Sequence, residues 1–535
     1  METRFSSHRP VLTGTRWMIT ADHPLAARAG AAVLEAGGNA VDAAVAANLV
    51  LAVVRPHMCG LGGDLFALIY HAGKNKIEAL NASGRAPAAA TLDHLRGRGH
   101  TVMPETGLLT ATVPGAIAGW QAALEKYGTM ALDRLLPIAI DYAEHGFPVY
   151  PELQGVLNER RRFLEQSPAA AKTFFKDGPA PGTGQRLVQP LLARSLKMLA
   201  DRGPDAFYRG SLGEALVALC ETSGGLIAHQ DLEAHTVTWH ASICTTYKGL
   251  QICTQPPNSQ GIALLMQANM LEGFDLGADM EFGDTDAVHL MVEAKKLAFA
   301  DRDKYVCDPA FHAVPVKAML DKNYAGQQTA RIDTRTAAGA VPPTDFTGGG
   351  NDTIFLSVVD GDGNAVSLIQ SLFEYFGSCV MIPETGILIH NRGRGFSLDP
   401  GHANRLEPGK RPYHTLHSVM VLQEGRPHMV LGTPGADGQT QTAIQLITSM
   451  LEFGADVQQA VEAPRWRGNP DGTLLLEGRF PQATIAGLRE RGHAVQLLPD
   501  WDPVMGSAQI ILIDRQNGIL EAGADPRRQA YAIGS

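Results

Sequence analysis

Cysteine is scarce: six residues in a chain of 535 (Cys59, Cys220, Cys244, Cys253, Cys307 and Cys379), with no CxxC pair. A disulfide framework is therefore not expected, and buried free thiols in a reducing cytoplasm are. Positive charge is also in short supply. Lys and Arg number 45 against 55 Asp and Glu, a net charge of −10, whereas a nucleic-acid reader normally carries a basic face. No stretch reaches the roughly 18 uninterrupted apolar residues of a membrane span. The N-terminal METRFSSHRPVLTGTRW has no apolar h-region, so no secretory signal is expected. Internal repeats and low-complexity tracts are missing too.

What is present is apolar bulk. Hydrophobic residues make up 45% of the chain, enough for a large core, and length alone predicts two to four domains. Residues 24–53 read as two Ala-rich packed helices, the first ended by Gly37-Gly38. A glycine-rich loop, Cys59-Gly-Leu-Gly-Gly-Asp64, follows and leads into an apolar strand. It lacks the Lys-Ser/Thr of a phosphate loop and opens no helix, so a nucleotide is not expected. Further helices are predicted over 113–127 (with Pro114 in the first turn), 133–145, 190–202, 211–222, 260–273, 285–305 and 439–453. Strands are predicted near 386–391, 418–423 and 427–432 and at Ile510-Ile511-Leu512-Ile513. Pro/Gly-rich patches at 178–185 and 337–350 read as surface loops.

The chain is organised around residues 348–377, GGGNDTIFLSVVDGDGNAVSLIQSLFEYFG. Two β-rich runs joined by Asp, Gly and Asn predict a hairpin, because those residues tolerate the positive φ of a tight turn. Thr353 stands where a flexible lead-in becomes the first residue of the strand. Cleavage of the Asp352–Thr353 bond would free an α-amine beside the threonine hydroxyl, and that pairing activates a weak nucleophile. An ordinary strand start is the competing reading. Asp360, Asp362 and Asn364 are spaced like calcium ligands, but Ala365 and Ser371 occupy the sixth and twelfth positions where an EF-hand needs Gly and Glu. His390, His402, His414 and His417 form no recognised ligand set, and no metal or cofactor is assigned.

This stretch resembles the processing site of the γ-glutamyltransferase family of N-terminal nucleophile hydrolases, in which a Thr opens the small subunit. Ser357, Val358, Val359, Asp360, Asp362, Gly363, Asn364, Ala365, Val366 and Ser367 keep the family's S-V-V-D-x-D-G-N-A-V-S pattern, and Phe376-Gly377 closes it. Ala524-Asp525-Pro526-Arg527 resembles its C-terminal A-D-P-R. The resemblance implies an α+β fold, the four-layer αββα sandwich. It also implies a precursor cut into a large subunit, 1–352, and a small one, 353–535, that stay interlocked. Thr353 is then the nucleophile, Ser371 stands where a family Thr holds the new α-amine, and Gly435 and Ala436 donate backbone N–H groups to the oxyanion. Ala436 replaces a family glycine and is expected to keep a negative φ. Secreted members carry a signal peptide, so a cytoplasmic branch is expected.

Substrate recognition departs from the family. The arginine that grips the donor's α-carboxylate is Ser83 here, with Arg85 two residues on. Phe373, Arg392 and Gly395 replace the holders of the α-amino group, and His414-Thr415 replace a Ser-Ser pair. Losing acceptors for an ammonium and gaining Arg392 predicts a carboxylate and rejects a zwitterion. The segment after Arg392 is too short for a long lid, which favours hydrolysis over transfer. The reading is an amidohydrolase of a small carboxylate-bearing, oxamate-like amide held by Arg392 and Arg85. Two alternatives stay open: a glutathione hydrolase using different contacts, and an unprocessed, non-catalytic binding paralogue. Expected partners are the amide and the chain's own two subunits, with a homodimer of αβ units left open.

Overall fold

The computed structural model describes residues 7–176, 178–339 and 352–535, with only the backbone of Asp279 and Asp352. Two seven-stranded antiparallel sheets form its centre. The first runs, edge to edge, Tyr531–Gly534, Met18–Ala21, Asp352–Val359, Ala365–Phe373, Asp64–His71, Lys76–Ala82 and Thr238–Ala241. The second runs Leu12–Gly14, Ile519–Ala524, Gln509–Asp514, Arg426–Gly432, Val419–Gln423, Leu250–Thr254 and Ile243–Tyr247. Each sheet therefore combines strands from before and after residue 353.

The sheets face each other across a dry layer. Leu68, Tyr70, Val359 and Ala365 from one meet Cys253, Met420, Val430 and Ile511 from the other. Helices cover the outer faces: Pro24–Glu35, Ala40–Val54 and Ala116–Tyr127 pack on the first sheet, with Leu132–His145 outside Ala40–Val54. Gly261–Leu271, Gly438–Leu451 and Val457–Glu462 pack on the second, with Thr285–Tyr305 against Gly261–Leu271. This is the αββα sandwich. Helix Ala40–Val54 is apolar except for Asp42 and Asn48 and buried along its whole length, as a helix pinned between sheet and outer helices must be. Asn39 and Asp42 close its N-terminus as a capping box. The Asp360 carboxylate accepts from the amides of Ala40, Asp362 and Asn364, so the acidic turn of the hairpin is a structural tie.

Residues 524–528 form a buried ionic knot. Arg527 donates to both Glu477 oxygens at 2.7 Å, to Asp525 at 3.1 Å and to the carbonyls of Val461 and Ala463.

Several expectations need correction. Cys244 and Cys253 are disulfide-bonded, with Cα atoms 4.2 Å apart. They face each other in the register of two adjacent antiparallel strands, an adjacency that nine residues of separation conceals. Cys59, Cys220, Cys307 and Cys379 are free and buried. Helix Ala116–Tyr127 starts after Pro114, whose carbonyl instead accepts from the Tyr208 hydroxyl. Residues 386–391 make only isolated bridges, Gly62 with Ile389 and Met381 with Leu388, because no neighbouring strand runs beside them. Helices Pro151–Leu164 and Pro168–Phe174 were not anticipated. The linker expected at 337–350 lies, from 340 onward, outside the described residues. Among the described residues no helix is long and apolar enough to cross a membrane.

Candidate active site

Thr353 is buried as the second residue of its strand. Asp352 pairs with Phe373 but Ile354 with Gln370, so Ser371 and Leu372 together oppose Thr353 in a β-bulge. Such bulges re-aim side chains. Here the Thr353 hydroxyl donates to Ser371 Oγ at 3.2 Å, and the Phe373 amide donates to the same oxygen at 2.7 Å. The chain runs through the Asp352–Thr353 peptide, so Thr353 N is an amide here and the α-amine arises only on cleavage.

Phe373 carries the bulge into a turn with φ +83, a strained conformation for a bulky residue. Its ring lies under the guanidinium of Arg392, 4.1 Å from ring centre to Cζ. Arg392 begins the single 3₁₀ turn Arg392–Gly395 and is fully buried. One nitrogen donates to Thr415 Oγ at 3.2 Å, and Nε faces Asp64 at 3.7 Å. Nε and Nη2 have no hydrogen-bond partner among the described residues. Burial lowers its pKa to about 9, with Asp64 opposing, so the guanidinium stays charged at neutral pH.

Asp64, which no sequence argument singled out as a site residue, is the electrostatic centre. Its strand pairs with that of Ser371, Asp64 opposite Ser371. The carboxylate accepts from Gly84 N at 3.0 Å and from His414 Nε2 at 3.1 Å, with His390 Nδ1 3.6 Å away. Burial alone would raise its pKa; the two imidazoles and Arg392 outweigh that and hold it below the usual carboxylate range. Burial lowers His414 to about 3, so its ring is neutral and Arg392 is the balancing charge. The other ring nitrogen of His414 accepts from Leu416 N at 3.2 Å. Both nitrogens are taken, and His414 acts as a strut for Asp64.

The glycine-rich loop earns its composition from close approach: a Cβ on Gly63 would sit 2.5 Å from the Ser371 carbonyl oxygen. A Cβ on Gly432 would likewise meet the Phe355 ring at 2.3 Å. That contact brings residues 433–436, which directly follow, towards the start of the Thr353 strand. Gly435 and Ala436 donate no backbone hydrogen bond among the described residues. Ala436 has φ +47, not the negative value expected, and is buried in a left-handed conformation that costs an L-residue about 1–2 kcal/mol. Gln260 fixes this loop to the opposite wall. Its Nε2 donates to the Ala436 carbonyl at 2.8 Å and the Thr415 carbonyl at 2.6 Å.

Thr353, Ser371, Phe373, Arg392, Thr415, Gln260 and Ala436 thus form one continuous chain of contacts. Arg85 stands apart. Its side chain, 32% exposed, donates to the Gly409 carbonyl at 3.1 Å and lies 4.0 Å from Asp308. Ser83 is buried and hydrogen-bonded to Asn81 at 2.7 Å, and Arg411, unremarked in the sequence, donates to the Ser83 carbonyl at 3.0 Å. The grouping that most resembles metal ligands is His289, Glu293 and His493. His493 and His289 bond each other at 2.8 Å, His289 meets the Asp333 carbonyl at 2.7 Å, and Lys296 occupies the Glu293 carboxylate at 2.7 Å. A cation already sits on the only anionic ligand, and no metal is assigned there.

A family profile described as gamma-glutamyltranspeptidase matches residues 26–535. The chain is similar, at 42% identity over 527 residues, to the glutathione hydrolase-like YwrD proenzyme of Bacillus subtilis (strain 168), covering 97% of this chain and 99% of that protein. It is 39% identical over 532 residues to the oxamate amidohydrolase proenzyme of Klebsiella pneumoniae subsp. pneumoniae, covering 97% and 98%. Among solved structures, a cephalosporin acylase from Bacillus halodurans superposes with a TM-score of 0.92 at 34% identity, covering 100% of this chain and 98% of that one.

Proposed function

Because the chain belongs to the γ-glutamyltranspeptidase family of N-terminal nucleophile hydrolases, we propose that it matures by cleavage before Thr353 and hydrolyses a small amide carrying a carboxylate. Two relatives at around 40% identity bear the word proenzyme in their names, which supports self-cleavage into residues 1–352 and 353–535. Thr353 Oγ, aligned by Ser371 at 3.2 Å, attacks the amide carbon while its freed α-amine takes the hydroxyl proton. The Gly435 and Ala436 N–H groups receive the developing oxyanion, where aimed backbone donors act most strongly. The proton passes to the leaving nitrogen, the amine or ammonia departs, and water releases the acid from Thr353.

The observation that carries the substrate class is Arg392: a buried guanidinium with Nε and Nη2 unbonded, above Phe373 and beside Thr415. A planar fork of that kind suits a carboxylate. A substrate ammonium finds no counterpart here. Both Asp64 oxygens are engaged, and the Glu374 carboxylate is held by Arg394 and Asn391. Arg85, on the loop that carries Gly84, adds positive potential at longer range. Oxamate, named for one relative, fits this chemistry, and a cytoplasmic enzyme is the setting that fits it.

Ammonia release from a panel of small amides tests the reading, with oxamate and its uncharged analogue oxamide as the critical pair. Preference for oxamate is expected; equal turnover of both would refute carboxylate recognition. The name of the Bacillus relative favours a second reading, glutathione hydrolysis. Turnover of a γ-glutamyl anilide, accelerated by glycylglycine, would establish that alternative.

A further inference from the structure

A separate cavity of about 450 Å³ opens beside Asp437, the residue after Ala436. Helix Thr285–Tyr305 contributes Lys295, Phe299 and Arg302 to its wall, and residues 468–474 close the other side. Lys295 is 6% exposed and has no hydrogen bond or ion pair among the described residues; its Nζ lies 4.4 Å from the centre of the Phe299 ring. The neighbouring cations Arg302 and Lys296 are matched. Arg302 meets Asp303 at 2.6 Å and Asp437 at 2.8 Å, and Lys296 meets Glu293 at 2.7 Å.

An ammonium withdrawn from water without a counter-ion is costly. Burial, with Arg302 adding to it and Asp437 opposing, lowers the Lys295 pKa to about 7. Room has been left at its tip: a Cβ on Gly468 would lie 3.3 Å from Nζ. The remaining wall mixes Phe299, Pro470 and Leu474, which suit the carbon of an organic ligand, with polar and charged groups that include Asp399 and His493.

We propose that this cavity binds a small organic carboxylate, with Lys295 as its counter-ion, at a site distinct from the one around Thr353. The location gives such a ligand a route to the reaction. Arg302 also donates to Gln260 Oε1 at 3.0 Å, and Gln260 holds the carbonyls of Ala436 and Thr415. The assignment is independent of which amide the enzyme hydrolyses.

Isothermal titration of the purified full-length protein with succinate, and separately with inorganic phosphate and sulfate, tests it. Succinate is expected to bind wild type and Arg392→Met alike, and at least about tenfold more weakly to Lys295→Met, since a charge-assisted bond is worth about 1.5–3 kcal/mol. Gly468→Val, which fills the space at the ammonium, is expected to weaken succinate similarly and serves if Lys295→Met does not fold. Three results would overturn the proposal. One is no succinate binding to wild type up to about 10 mM, a concentration weaker than the ~4 kcal/mol of a millimolar site. Another is binding lost in Arg392→Met but kept in Lys295→Met. The third is phosphate or sulfate binding as tightly as succinate.

Discussion

Arg392 and Arg527 are both buried arginines beside buried carboxylates, yet they do opposite things. Arg527 uses its guanidinium to the full, on Glu477, Asp525 and two carbonyls; burial alone would lower its pKa, but Asp525 and Glu477 outweigh it and raise it. Arg392 makes one hydrogen bond, faces Asp64 across 3.7 Å and is lowered to about 9 by burial. Burial of charge therefore does not by itself mark a site. Arg392 differs in leaving two guanidinium nitrogens unbonded among the described residues, where Arg55 and Arg465 leave only Nε.

The contrast can be broken by experiment. If the Arg392 side is the reacting one, removing the hydroxyl there should have the greatest effect. Thr353→Ala is expected to run as one 57.1 kDa band on a denaturing gel and to lose at least about 10³-fold in ammonia release, as loss of a covalent nucleophile does. Processing at the same junction in this variant would remove Thr353 from the mechanism. Arg527→Met should cost about 3–5 kcal/mol of stability, the loss expected on breaking a buried ion pair, with activity per folded molecule unchanged. Chemical denaturation followed by kinetics on the folded fraction separates the two. A milder loss would mean that Arg465, 2.7 Å from Asp525, or Arg479, 2.7 Å from Glu477, takes over.

Arg392→Met should act mainly on recognition, raising KM for anionic amides by roughly 10–100-fold, equivalent to one charge-assisted bond, and should cost less stability than Arg527→Met because Asp64 keeps its bonds to Gly84 and His414. Equal KM in mutant and wild type would equate the two arginines and abolish the distinction. The same residue gives a pH signature. Burial lowers its pKa to about 9, so KM for a carboxylate substrate should climb as pH rises through that value. KM for a neutral amide should not. The smallest effect is expected for Ala436→Gly, which relieves the left-handed strain at φ +47 but adds chain entropy in the unfolded state. A net change within about 1 kcal/mol should follow, with the N–H donor and activity retained.

Much of this was legible in the sequence, for local reasons. The hairpin 352–373 follows from β-rich runs around an Asp-Gly-Asp-Gly-Asn turn, and helix Ala40–Val54 from an Ala-, Val- and Leu-rich run after Gly37-Gly38. Arg392 stood out because it occupies a family position that ordinarily takes another residue. Interactions between distant segments were not legible. Asp64 offered one signal, a lone carboxylate entering the buried strand Asp64–His71, which must be compensated somewhere in the fold. Gln260 offered none, since its importance lies in joining residues 415 and 436 across the two walls. The Cys244–Cys253 bond depended on a strand register, and the φ of Ala436 on a loop packed between Gly432 and Gln260.

That each sheet combines strands from both sides of residue 353 has a kinetic consequence. While the chain is whole, every sheet contact closes within one molecule and folding is first order. After a cut before Thr353, neither fragment can complete a sheet alone, so reassembly must begin with the encounter of two separate polypeptides. Recovery from denaturation should then depend on concentration for the matured protein and not for its precursor, making the cut a step after which the fold is easily kept and hard to regain.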